Sequence, residues 1–165
     1  MADVAFKDWD NFFMASAGAS AALAGLLFVA LSINLTRILA IPGLAGRAGE
    51  TFIPLTVVLI LSLHALVPGC RIETFAADLV AIGGAAWVIA SWIEFRALRA
   101  RHFQKAVHLL TRIGINQPAT IAVPLAGLSL LLGFPGGLYW LIPAVSFSFV
   151  GAMVNSWILL VEILR

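Results

Sequence analysis

The stretch "MASAGASAALAGLLFVALSINL", Met14 to Leu35, carries no charged side chain, and its two halves differ in bulk. Ten of the eleven residues from Ala15 to Gly25 are Ala, Ser or Gly, while "LLFVALSINL" is bulky and apolar almost to its end. A run of this length matches the roughly 20 residues that a helix needs to cross a bilayer. Between helices in lipid there is little hydrophobic drive, so association depends on close packing and hydrogen bonds, which small residues permit. At helical spacing Ala17, Ala21 and Ala24 form one stripe, Gly18, Ala22 and Gly25 a second, and Ser16 and Ser20 a third. A helix that is small all round makes poor lipid contact. The expectation is that this half is enclosed by protein, with the helix running through the middle of the assembly. It is then either the central helix of a monomer or the lining of a homo-oligomer's axis, and the homo-oligomer is the expectation carried forward.

The rest of the chain repeats the apolar theme. Of its 165 residues 62% are hydrophobic and 11% charged, against about 25% charged in a soluble domain. The apolar excess is gathered into five runs, about 12–36, 51–68, 75–95, 113–133 and 138–163. The predicted fold is therefore an all-α, polytopic membrane bundle of about five transmembrane helices forming one domain over 1–165. The connector "GFPGG" at 133–137 reads as a tight turn joining antiparallel neighbours. The opening "MADVAFKDWDNFF" holds three aspartates and one lysine, unlike the positive start of a signal peptide, so the first span is expected to stay in the mature protein.

Positive charge orients the bundle. Arg96, Arg99, Arg101, Lys105 and Arg112 fall in the expected loop 96–112, and Arg37 and Arg47 follow the first span. The positive-inside rule then predicts the N-terminus outside and the C-terminus cytoplasmic. Trp9, Phe12, Phe13, Tyr139 and Trp140 would form an aromatic belt at the outer interface. Phe6, Trp9 and Phe13 line one side of an amphipathic lead-in, or of the first turns of the span itself.

Polar residues within spans are costly and mark helix seams or solute paths. Ser148, Asn155 and Glu162, spaced by seven, share one helical face. That face and the Ser16–Ser20 face are the candidate pathway lining, or else hydrogen-bonded seams. Asn34, Arg37, Glu94 and Glu162 fall near the expected cytoplasmic boundary and form a candidate ion-pair cluster, either a structural latch or a charged pore mouth. The basic loop is a candidate grip for anionic lipid headgroups, or a dock for a membrane-protein partner. Nucleic-acid binding is not expected of a short loop tied to spans at both ends. Asp78 reads as interfacial, and His64 as a satisfied buried histidine or a proton relay. The lone Cys70 reads as a small apolar residue at a span edge.

No P-loop, GxSxG, HExxH, CxxC, paired-cysteine haem motif or TVGYG filter is present, so no catalytic residue, metal or cofactor is predicted. "ASAALAGLLFVALSINLTRIL", followed by "PGLAGRAGE", resembles the first helix of a group of small, uncharacterised bacterial multi-span membrane proteins. The resemblance covers residues 15–50 and implies a bacterial inner membrane without implying an activity. Three functions are expected, in this order: a homo-oligomeric channel or transporter for a small solute; a non-catalytic accessory subunit; and a lipid-active enzyme using Glu94 and Glu162.

Overall fold

A computed structural model describes residues 6–40, 44–99, 106–134 and 136–164, and the side chains of all of these except 47, 97, 98, 106–113 and 158–164. Every regular element in the described part is helical: α1 Asp10–Ile33, α2 Leu35–Ala40, α3 Leu44–Ala65, α4 Ile72–Arg99, α5 Ala106–Leu131 and α6 Leu141–Leu164. A 3-10 turn over Gly137–Trp140 leads into α6. Asp10–Ile33, Leu44–Ala65, Ile72–Arg96 and Gly137–Trp157 are four stretches long and apolar enough to cross a membrane. α5 has 26 residues and sits where the fourth span is expected, but Asn116, Gln117, Thr120 and two prolines dilute it, and it stands outside that set.

Helix boundaries differ from expectation in ways that matter for the site. α1 ends at Ile33, one residue before α2, where short polar side chains hydrogen-bond back to carbonyls four residues earlier. The Ser32 hydroxyl donates to the Phe28 carbonyl at 2.8 Å, and the Asn34 amide to that of Ala30 at 2.9 Å. α3 begins at Leu44 rather than 51, so "LAGRAGE" is helical and carries Glu50 into the bundle. α4 continues to Arg99 and α5 begins at Ala106, so most of the expected loop 96–112 is helix.

The closest packing joins α4 and α5. A Cβ on Gly127 would stand 2.6 Å from the Ala76 carbonyl oxygen and 2.8 Å from Leu79 Cβ, and one on Gly83 2.5 Å from Val123 Cγ1. Only glycine lets these backbones approach so far. α5 and α6 are antiparallel neighbours joined by a turn in which Gly133 and Gly136 take φ of +72° and +85°. Phe6, Phe13 and Phe75 stack with ring centroids 5.2–5.9 Å apart at one end of the bundle. Phe13 is thus core rather than belt, whereas Tyr139 and Trp140 are exposed as expected.

α1 does not run through the middle of the protomer. It lies at the edge, packed along α3 with only a minor contact to α6. Its two serine and glycine stripes face opposite ways. Ser16, Ala17, Ser20 and Leu27 are buried, while Ala15, Gly18, Ala22 and Gly25 are exposed. Nothing approaches within 4 Å of a Cβ built on Gly18 or Gly25.

Candidate functional site

α3, α4, α5 and α6 turn their polar residues toward each other at the end of the bundle remote from the phenylalanine cluster. Glu50 and Thr51 on α3, Glu94 on α4, Asn116 and Thr120 on α5 and Asn155 on α6 are all buried, Glu50 to 2% exposure and Glu94 to 6%. Two carboxylates so deep in an apolar bundle are expensive unless hydrogen-bonded. Consecutive amides of α5 supply the donors.

Gln117 holds Glu94. Its Nε2 donates to Glu94 Oε2 at 2.7 Å and to Ser91 Oγ at 3.2 Å. Its Oε1 accepts the Trp87 indole N–H at 2.9 Å. An indole nitrogen can only donate, so it requires the oxygen of the Gln117 amide and turns the NH₂ toward the carboxylate. Trp87, Ser91 and Glu94 stand at i, i+4 and i+7, one face of α4, which is why a single side chain from α5 can bridge all three. The second carboxylate oxygen, Glu94 Oε1, is buried without a hydrogen-bond partner.

Asn116, the preceding residue, reaches Glu50. Its Nδ2 donates to Glu50 Oε2 across a long 3.5 Å. Consecutive residues of α5 thus engage the two acids, Asn116 with Glu50 and Gln117 with Glu94. α6 closes this side at Gly151, where a Cβ would be 3.0 Å from Ile115 Cγ2 and 3.7 Å from Asn116 Oδ1. Asn155 follows one turn later, buried to 6%.

The predicted pathway serines are all interior. Ser16, Ser20 and Ser148 are buried to 4%, 0% and 1%. Ser148 donates to the Ala144 carbonyl at 2.7 Å, whereas the Ser20 hydroxyl has no partner. These faces line the protomer's interior rather than a surface presented to another copy. The side chain of Glu162 is outside the described residues.

Of the expected ion-pair cluster, Asn34, Arg37 and Glu94 have described side chains. Asn34 is bonded to its own helix, Arg37 is on the exposed side of α2, and Glu94 is held by α5 amides. Of the basic group, Arg96 and Arg99 are exposed at the end of α4. Arg101 and Lys105 lie outside the described residues, as does the side chain of Arg112. At the other end of the bundle His64 Nδ1 and Asp78 Oδ2 are 2.8 Å apart, a half-buried pair joining α3 to α4. Among the described residues no group of three or more His, Cys, Asp or Glu side chains could hold a metal ion.

Glu50, Asn116, Gln117, Trp87 and Ser91 escaped the sequence reading. Two signals could have found them: the pair Asn116–Gln117 ahead of Pro118 in an apolar run, and the 87/91/94 spacing. Compared with protein-family models, curated proteins and solved structures, the chain matches none. Function therefore rests on the residues themselves.

Proposed function

We propose that this is a multi-span protein of a bacterial inner membrane that conducts or carries a small solute through the interior of each protomer. In this reading α5 also spans, as the fourth of five helices in chain order, the N-terminus is outside, and the basic ends of α4 and α5 are cytoplasmic. The observation that carries it is Glu94, an acid buried to 6% exposure and oriented by an amide that is itself oriented by an indole. Ionisable groups within spans are retained chiefly where they bind or relay something. The path would run from Ser16, Ser20 and Ser148 to Asn155, Asn116 and Glu94, and its acidic end favours a small cation.

Association fits the exposed Gly18–Ala22–Gly25 face of α1, where no described residue comes within 4 Å of a Cβ on either glycine and which suits close helix contact. A second copy makes the protein a homo-oligomer; a different membrane protein would make it an accessory subunit. Gly18→Leu separates these readings from a monomer, because native mass falls to one protomer if the face is an interface.

Flux into liposomes tests the transport reading, with protons, sodium and potassium as probes. Glu94→Gln keeps the volume and an oxygen acceptor but removes the charge, and is expected to lower cation flux at least tenfold while the protein remains folded. Asn155→Leu is expected to lower it as well. Flux unchanged in both variants, or absent from the wild type for all three probes, overturns the proposal.

A further inference from the structure

The face of α4 opposite Glu94 carries a second arrangement. Trp92, Phe95, Arg96 and Arg99 line an open patch of surface at the end of the apolar stretch Ile72–Arg96. At 100° per residue these four fall within a third of the helix circumference. The Arg96 guanidinium carbon lies over the Trp92 ring, 4.6 Å from its centroid, and that of Arg99 lies over the Phe95 ring, also at 4.6 Å. Both pairs are i, i+4. Stacking keeps each planar cation fixed beside its ring and leaves its edge N–H groups free to donate.

No ion pair joins Arg96 or Arg99 to a carboxylate among the described residues. The neighbouring acid, Glu94, is turned inward and engaged by Gln117. Two oriented cations thus face outward beside each other, with no ion-paired carboxylate among the described residues. The stripe above them is apolar and exposed: Val88 is 59%, Ile89 50%, Trp92 56% and Phe95 51% accessible. A ligand matching the whole face has a phosphate at the arginines and hydrocarbon along Val88 and Ile89.

We propose that Trp92, Phe95, Arg96 and Arg99 form a binding site for the phosphate group of an anionic phospholipid, with an acyl chain lying along Val88 and Ile89. The site is independent of the solute path, since it occupies the other side of α4. It narrows headgroup recognition from a five-residue basic segment to two stacked arginines. Guanidinium is the suitable cation because its fork matches phosphate oxygens, whereas a lysine ammonium offers neither the fork nor the stack.

The full-length protein, exchanged into micelles containing equal amounts of phosphatidylglycerol and phosphatidylcholine, tests this by native mass spectrometry with retained lipids counted. Wild type is expected to retain phosphatidylglycerol preferentially. Arg96→Gln and Arg99→Gln should each lower that preference about fivefold, the factor for one basic group at an anionic surface, and the pair should abolish it. Arg96→Lys with Arg99→Lys should recover only part. All four positions are exposed, so these variants should fold, which their thermal unfolding checks. A second readout needs no charge change. Brominated phosphatidylglycerol should quench wild-type tryptophan emission more than that of Trp92→Phe, and brominated phosphatidylcholine should not. Undiminished phosphatidylglycerol retention in the double Gln variant overturns the proposal. So does its displacement by millimolar inorganic phosphate, which would make free phosphate the ligand, and so does equal quenching with and without Trp92.

Discussion

Replacing Gln117 by leucine removes three hydrogen bonds at once while nearly conserving volume. The bond to Glu94, 2.7 Å long and made to a carboxylate, belongs to the stronger class, about 1.5–3 kcal/mol. Those with Ser91 and Trp87 are neutral and bring about 0.5–1.5 kcal/mol each. Interhelical bonds measured in a bilayer average nearer 0.6 kcal/mol and reach about 1.7, which pulls the sum down. The remaining penalty is the Glu94 carboxylate, buried to 6%, with Oε1 already unpartnered and Oε2 newly so. The expected loss for Gln117→Leu is about 2–4 kcal/mol. Glu94→Leu alone leaves an amide hydrogen of Gln117 unpaired and costs about 1–2 kcal/mol. The double variant replaces both partners by apolar groups, which tends toward neutrality, so it should be no less stable than Gln117→Leu. The coupling between the two sites is then at least the cost of Glu94→Leu alone, about 1–2 kcal/mol. Reversible unfolding in mixed bicelles, run on wild type, both single variants and the double, measures it. A double variant whose destabilisation equals the sum of the singles to within about 0.5 kcal/mol would refute the bond, and with it the orientation of Gln117 argued from Trp87.

Glycines on opposite sides of the bundle should respond oppositely to alanine. Gly127→Ala drives a methyl into the Ala76 carbonyl at 2.6 Å and should cost about 1–3 kcal/mol, read in the same unfolding assay. Gly18→Ala and Gly25→Ala meet nothing within 4 Å and should gain up to about 1 kcal/mol in the isolated protomer from helix propensity. The Cys70 thiol, in the connection between α3 and α4, has its pKa raised by burial first and by the Asp78 charge second. A raised pKa means less thiolate at neutral pH, so iodoacetamide should alkylate Cys70 more slowly than a free thiol at pH 8. The rate should climb further with pH and rise modestly in Asp78→Asn; equality with a free thiol at pH 8 would contradict the shift.

The helical class and the apolar stretches were legible because lipid-crossing length and hydropathy are local properties of a run of residues. Helix ends were not. A segment such as "LAGRAGE" looks like a polar loop, yet it extends α3 by two turns because Leu44 and Ala48 are buried against neighbouring helices, a tertiary gain that local pattern does not report. Glu50 entered the site through that extension. The small residues of α1 show a related limit. Composition gave their presence around the whole circumference, but only packing separates the inward serines from the outward glycines, and it placed the helix at the edge of the protomer.

The pairing of acids with amides follows from the same constraint. With water excluded, a carboxylate inside a bundle needs donors brought to it on another helix, and a long cation such as arginine would have to be buried with it. Asparagine and glutamine deliver N–H groups at no cost in charge, but each also carries a carbonyl oxygen that must be satisfied. For Gln117 the satisfying donor is Trp87, on the same face of α4 as the acid itself. Glu94, Ser91 and Trp87 are thus a single recognition strip for one amide, and the register of α5 against α4 is fixed at this end by Gln117 as it is at the other by Gly127. A shift of α5 by one residue would put Asn116 or Pro118 opposite the strip. Proline has no side-chain donor, and asparagine is one carbon shorter. The acid's orientation and the helix register are therefore one property, and any motion that opens a path past Glu94 must first break the bonds made by Gln117.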